Sequence, residues 1–267
     1  MKFGYCLDIQ FLNGDTTSRT IFDAVAEAGF DYVELPFSAI SALDSGKIAQ
    51  LKQALTTIPC KACNLFFPPS LTIVGSKMDL AGIKSYLERM LPLAEELGME
   101  NLVFGNGGAR KTPPGESRED IRKNLRTIAE TMETYAEKSK IIISIEPLNT
   151  TETDIINSYA EAVDLTKGLT HVSAMIDSYH VVMENQNYDD VLQTPSEMKH
   201  LHTAYSKERL VPSPNDDMNH YADFVKTVKQ LGYNNKISIE GKLRATDSEG
   251  IAAEVKASLT VLKNLFA

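Results

Sequence analysis

Short apolar runs alternate with amphipathic stretches along the whole chain. Strand-like segments fall near 2–7 (KFGYCL), 32–36 (YVELP), 60–67 (CKACNLFF) and 101–105 (NLVFG). Four more fall near 141–147 (IIISIEP), 172–177 (VSAMID), 198–205 (MKHLHTAY) and 236–241 (KISIEG). The spacing leaves room for one helix between each pair. Helical periodicity fills several gaps: 18–29, where Thr17-Ser18 is the expected cap and Gly29 the stop, then 80–98, 117–139, 158–169 and 221–232. Alternating βα units predict a parallel sheet covered by helices. Eight strand segments favour an α/β fold of the closed (β/α)8 TIM-barrel type, one domain over residues 1–267. The alternative is an open doubly wound sheet, but no GxGxxG follows the first strand.

Four strand-like runs in the second half carry a polar residue at or near their ends: Glu146, Asp177, His202 and Glu240. Strand C-termini converge on one mouth of such a barrel, where its chemistry takes place. Side chains alternate along a strand. Placing Glu146 inward also turns Ser144 and Ile142 inward and sends Ile143 and Ile145 to the helices. Asp177 inward brings Met175 and Ser173, Glu240 brings Ser238, and His202 brings His200 one layer deeper. The same register, repeated in four segments, predicts a shared cavity. Three carboxylates and an imidazole suit one divalent metal ion, Mn²⁺, Mg²⁺ or Co²⁺, with Zn²⁺ a further candidate, and the sequence does not choose among them.

Composition narrows the partners. The 267 residues are 43% hydrophobic, enough for one large core, and the net charge of -9 disfavours nucleic acid. The N-terminal MKFGYCLDIQ lacks the apolar run of a secretory signal, and no stretch is long and apolar enough to span a membrane. Three cysteines build no disulfide framework, so a cytoplasmic setting is expected. Cys60 and Cys63 form a CxxC inside a strand-like run, where they point to opposite faces and read as structural.

The stretches EPLNTTE (146–152), DSYH (177–180), HLH (200–202) and ISIE (237–240) resemble the xylose isomerase-like barrel superfamily, and within it the ketose 3-epimerase group. NLFFPPSLTIVG (64–75) and VFGNGGARKTPPG (103–115) look like segments of sugar phosphate isomerase/epimerase relatives. The resemblance implies that Glu146, Asp177, His202 and Glu240 bind one metal ion, and that Glu152 and His180 hold substrate hydroxyls. It also implies a small-molecule sugar substrate and a homodimer or homotetramer. One departure stands out. Relatives carry an acidic residue three positions after the metal His and an Arg soon after. Here Tyr205 holds the acidic position, and the candidate substrate ligand Arg209 lies one place later than in ketose epimerases.

The implied chemistry is proton transfer beside a carbonyl through an enediolate. Glu146 and Glu240, from the fifth and eighth strand segments, are the expected acid/base pair. Candidate wall residues are Phe66, Phe67, Glu34 and Tyr5, and the glycine-rich 105–110 segment ending in Arg110 is either a phosphate loop or a plain βα loop. The same site suits an aldose–ketose or hydroxypyruvate-type isomerase, or an inosose dehydratase. From other classes, a non-catalytic sugar-binding barrel does not require two inward Glu. An AP-endonuclease-like nuclease needs a histidine-rich zinc cluster, whereas of five histidines only His180 and His202 sit at matching mouth positions.

Overall fold

A computed structural model describes residues 1–194 and 198–267. All eight strand segments form, as β1 (Lys2–Cys6), β2 (Tyr32–Pro36), β3 (Cys60–Asn64), β4 (Asn101–Phe104), β5 (Ile142–Ile145), β6 (Val172–Ala174), β7 (Ile176–Asp177), β8 (His200–Thr203) and β9 (Lys236–Ile239). The sixth expected segment is split at Met175 into β6 and β7. Its first half pairs with β5 and its second with β8, while Met175 N–H donates to Ile145 O at 3.1 Å. Since β1 pairs with both β2 and β9, this split strand closes the sheet on itself. Every strand pairing is parallel, so all strand C-termini meet at one mouth.

The expected alternation holds on both faces. Ile143, Ile145, Ala174, Ile176, Leu201, Ile237 and Ile239 are buried in the apolar layer between strands and helices. Glu34, Ser144, His200, His202 and Ser238 are fully buried on the axis side, where branched aliphatics usually fill a barrel. Cys60 and Cys63 are free thiols buried within β3.

The first outer helix, Thr16–Ala28, corrects its expected cap. Asp15, not Thr17-Ser18, caps it by accepting from Ser18 N–H. Ser18 Oγ is engaged elsewhere, donating to Asp8 at 2.5 Å. Gly29 ends the helix in the left-handed region as expected. Ser117 caps the long helix Arg118–Ser139, whose first turn carries Glu119 and Asp120 against the helix dipole. Among the described residues no helix is long and apolar enough to cross a membrane.

Candidate metal and active site

The strand ends deliver four ligand-type side chains to one point. Glu146 follows β5, Asp177 ends β7, His202 lies in β8 and Glu240 follows β9. One ligand atom from each lies within 4.8 Å of all the others. His202 Nδ1 is 2.9 Å from Glu146 Oε1 and 2.9 Å from Glu240 Oε2. Three carboxylate oxygens and one imidazole nitrogen, converging with Glu146, Asp177 and His202 buried, are a donor set that fits a hard divalent cation.

The electrostatics show how much this cluster wants positive charge. Burial, together with Glu146 and Glu240, pushes the Asp177 carboxyl up to about 7, against the pull of Arg209 and His202. Burial also raises Glu146. Glu240 goes the other way: Arg209 and His202 outweigh its burial and pull it down to about 2. His202 is raised well above the usual imidazole range, because Glu34, Glu240 and Glu146 outweigh the cost of burying its charge.

Arg209 reaches the cluster despite its displaced spacing. Tyr205 and Leu210 form an antiparallel bridge, and Arg209 takes a φ of 56° within that tight turn. Its Nη2 lies 2.7 Å from Glu240 Oε2 and 3.3 Å from Asp177 Oδ2, while Nη1 is 3.7 Å from Glu152 Oε1. The guanidinium stacks over Tyr179 at 4.5 Å.

His180 lies beside Asp177, with Nε2 3.7 Å from Asp177 Oδ2. Its Nδ1 accepts from Asn149 N–H at 3.1 Å, which leaves the proton on Nε2. Among the described residues that Nε2 has no hydrogen-bond partner. Burial, reinforced by Arg209, holds His180 down to about 3, so it presents a neutral N–H donor. Glu152 is half-buried at the rim and accepts from Asn149 Nδ2 at 3.0 Å.

Other candidates lie elsewhere. Phe66 and Phe67 are fully buried in a cluster with Phe37, Tyr86 and Phe104, so in this structure Phe66 presents no surface to a ligand. The chain leaves the strand alternation just before them, at Leu65, whose φ is 47°. Tyr5 packs edge-on against Phe30 in the helix-facing layer. Cys6, of opposite parity, instead groups with Glu34 and His202. Glu34 is no wall residue but lies beneath His202, Oε1 to Nε2, at 2.9 Å. Burial alone would raise its carboxyl, yet His202 and His200 hold it well below the usual range.

The 105–110 segment serves Glu146. A Cβ at Gly105 would overlap Glu146 Oε2, so the bare backbone makes room for that carboxylate. Arg110, fully buried, donates from Nη2 to the Glu146 main-chain oxygen at 2.8 Å and lies over the Phe104 ring. Asn149, Tyr179, Cys6 and the structural roles of Gly105 and Arg110 were not singled out from sequence. Only the polar character of EPLN hinted at Asn149.

Among curated proteins, an L-ribulose 3-epimerase from Methylomonas sp. (strain DH-1) is 23% identical over 252 residues, covering 93% of this chain and 85% of that protein. A 3-dehydro-D-guloside 4-epimerase from Escherichia coli (strain K12) is 27% identical over 240 residues, covering 85% of this chain and 87% of that protein. Among solved structures, a D-allulose 3-epimerase from Methylomonas sp. in complex with D-allulose superposes with a TM-score of 0.79 at 18% identity, covering 99% of this chain and 96% of that one. That likeness shows a shared fold. The family model described as xylose isomerase-like TIM barrel matches residues 22–265, and the chain belongs to that family.

Proposed function

We propose that this protein is a divalent-metal-dependent sugar epimerase that inverts a carbon beside a ketose carbonyl, with 3-epimerisation the leading reaction. The observation that carries the reading is the pair Glu146 and Glu240, each 2.9 Å from the same nitrogen of His202 and arriving from separate strands. The relatives that are sugar epimerases support it. Glu146, Asp177, His202 and Glu240 would hold the cation, Mn²⁺ first among candidates. When bound, it supplies the Lewis acidity that makes the C–H beside a carbonyl acidic enough to remove.

The protein's own groups do the rest. One of the two Glu carboxylates takes the proton from the carbon on one face of the sugar, and the other Glu, protonated, returns one on the opposite face. Because epimerisation runs both ways, the two exchange roles in the reverse direction. Arg209, stacked on Tyr179 and paired with Glu240, orients that carboxylate and supplies a donor to substrate oxygens. His180 Nε2–H, without an acceptor among the described residues, donates to a substrate hydroxyl, and Glu152 accepts from another at the rim. The E. coli relative acts on C4 of a 3-dehydro sugar, a carbon also next to a carbonyl, so a 3-keto glycoside is the second substrate class to try.

The test is solvent exchange. Mn²⁺-treated enzyme is incubated with ketoses, aldoses, their phosphates, inososes and 3-keto glycosides in D₂O, then freed of Mn²⁺ before NMR. Deuterium at C3 of a ketose with a new epimer is expected, and Glu146→Gln or Glu240→Gln abolishes it while far-UV circular dichroism is unchanged. Near-normal exchange in either variant refutes the acid/base assignment. Label at C1 or C2 reassigns the reaction to aldose–ketose isomerisation, and loss of water to a dehydratase.

A further inference from the structure

Beneath the carboxylate cluster lies a second polar layer. Glu34, from β2, is fully buried and receives three hydrogen bonds. Its Oε1 is 2.9 Å from His202 Nε2. Its Oε2 is 2.7 Å from His200 Nε2 and accepts from Ser238 Oγ at 2.6 Å. Ser238 Oγ in turn lies 2.9 Å from the Tyr32 hydroxyl. Gly4 has no side chain because Tyr32 needs the space: a Cβ there would overlap its ring. Residues from β1, β2, β8 and β9 thus combine to hold one carboxylate in one orientation.

Stability alone does not account for this layer. Burying a carboxylate and two imidazoles costs desolvation energy that an aliphatic layer avoids. Barrel interiors are usually filled with branched apolar residues. The geometry at His202 supplies a reason. An ionised carboxylate only accepts hydrogen bonds, so the ring nitrogen facing Glu34 must carry the proton. That nitrogen is Nε2. In the neutral ring the lone pair then belongs to Nδ1, the atom facing Glu146 and Glu240. His200 and Ser238 occupy the other carboxylate oxygen, so the group cannot turn away.

We propose that Glu34 is the positioning residue of the metal centre: it fixes His202 in the Nε2–H tautomer and so presents Nδ1 as the ligand atom. The inference rests on the reading of His202 as a metal ligand. It needs no contact between Glu34 and the ion or the sugar. A hydrogen bond behind a ligating imidazole of this kind is worth about 10–100-fold in metal affinity.

Glu34→Gln keeps the shape and breaks the pattern. An amide offers one accepting oxygen where the carboxylate offered two, while three donors still surround it. Its NH₂ must face His202, forcing the proton to Nδ1, or face His200 and Ser238 and leave their donors unpaired. Calorimetric titration with MnCl₂ reads the affinity. Two-bond ¹H–¹⁵N NMR on histidine-labelled protein with ZnCl₂ reads the tautomer. Wild type is expected to show His202 as Nε2–H, Glu34→Gln to bind Mn²⁺ about 10–100-fold more weakly, and Ser238→Ala, which leaves both imidazole contacts, to stay near wild type. Wild-type affinity in Glu34→Gln overturns the proposal. So does an Nδ1–H tautomer in zinc-treated wild type, a measurement that stands even if the variant fails to fold. Absence of Mn²⁺ and Zn²⁺ binding to wild type itself overturns the metal reading, and this inference with it.

Discussion

Replacing Asp177 by Asn should make the metal-free protein more stable and remove one of the four side chains of the proposed metal site. Asp177 is fully buried, and its carboxyl is pushed from 3.8 up to about 7 by burial and by Glu146 and Glu240. A rise of that size corresponds to roughly 4 kcal/mol of extra cost for ionising the group in the folded state. The unfolded chain ionises this Asp near pH 4, whereas the folded one resists until about 7. Wild type therefore loses stability as pH climbs through that window, and the loss is complete above it. Asn carries no charge and escapes it. Asn also keeps the local structure, because Asp177 caps the helix Ser178–Met183 by accepting from Tyr179 N–H at 2.9 Å, and an amide oxygen caps as well as a carboxylate. Thermal melts in EDTA should place the variant above wild type by roughly 5–15 °C at pH 8, with about half that gap at pH 5.5. On the proposed metal reading, adding MnCl₂ should raise wild type and leave the variant unmoved, because a ligand that binds only the intact cluster stabilises only the protein that has it. A variant that melts at or below wild type in EDTA at pH 8 refutes the reasoning.

Two further outcomes follow from the same geometry. Gly105→Ala places a methyl where Glu146 Oε2 sits, so the carboxylate must swing aside. Turnover should fall by roughly 10²-fold, as for a misplaced reacting group, with melting changed by only a few degrees; full activity by NMR exchange would show that Glu146 need not occupy this position. Arg209→Met removes the cation 2.7 Å from Glu240 Oε2. It should raise the sugar's KM at least tenfold through loss of a charged hydrogen bond, and an unchanged KM in steady-state assays would remove Arg209 from the substrate site.

Several parts of the molecule were legible before any fold was known. The inward set of Glu146, Asp177, His202 and Glu240, with Ser238 and His200 behind it, follows from two-residue alternation along the β-strands, which carries on one residue past the ends of β5 and β9. That rule needs only local sequence. It stops working where the backbone leaves the strand. Phe66 and Phe67 lie just past Leu65, whose φ of 47° turns the chain, and both went into the aromatic core. Helix caps were also underdetermined, because Asp15, Thr17 and Ser18 all have capping side chains; the structure starts the helix at Thr16 with Asp15 as the cap and engages Ser18 Oγ with Asp8 instead.

The sequence by itself determined the eight strand segments, the side of each strand that faces the axis and the chemical character of the cluster, because these depend on periodicity and residue type over a few positions. Tertiary structure alone decided who meets whom across the barrel. Glu34 joins His200, His202 and Ser238 only when β1, pairing with both β2 and β9, sets the register of β2 against β9 and β8. Arg209 reaches Glu240 only through a left-handed turn whose position cannot be read from spacing. Contacts between residues more than 150 positions apart are set by closure and packing of the whole chain, and no local pattern encodes them.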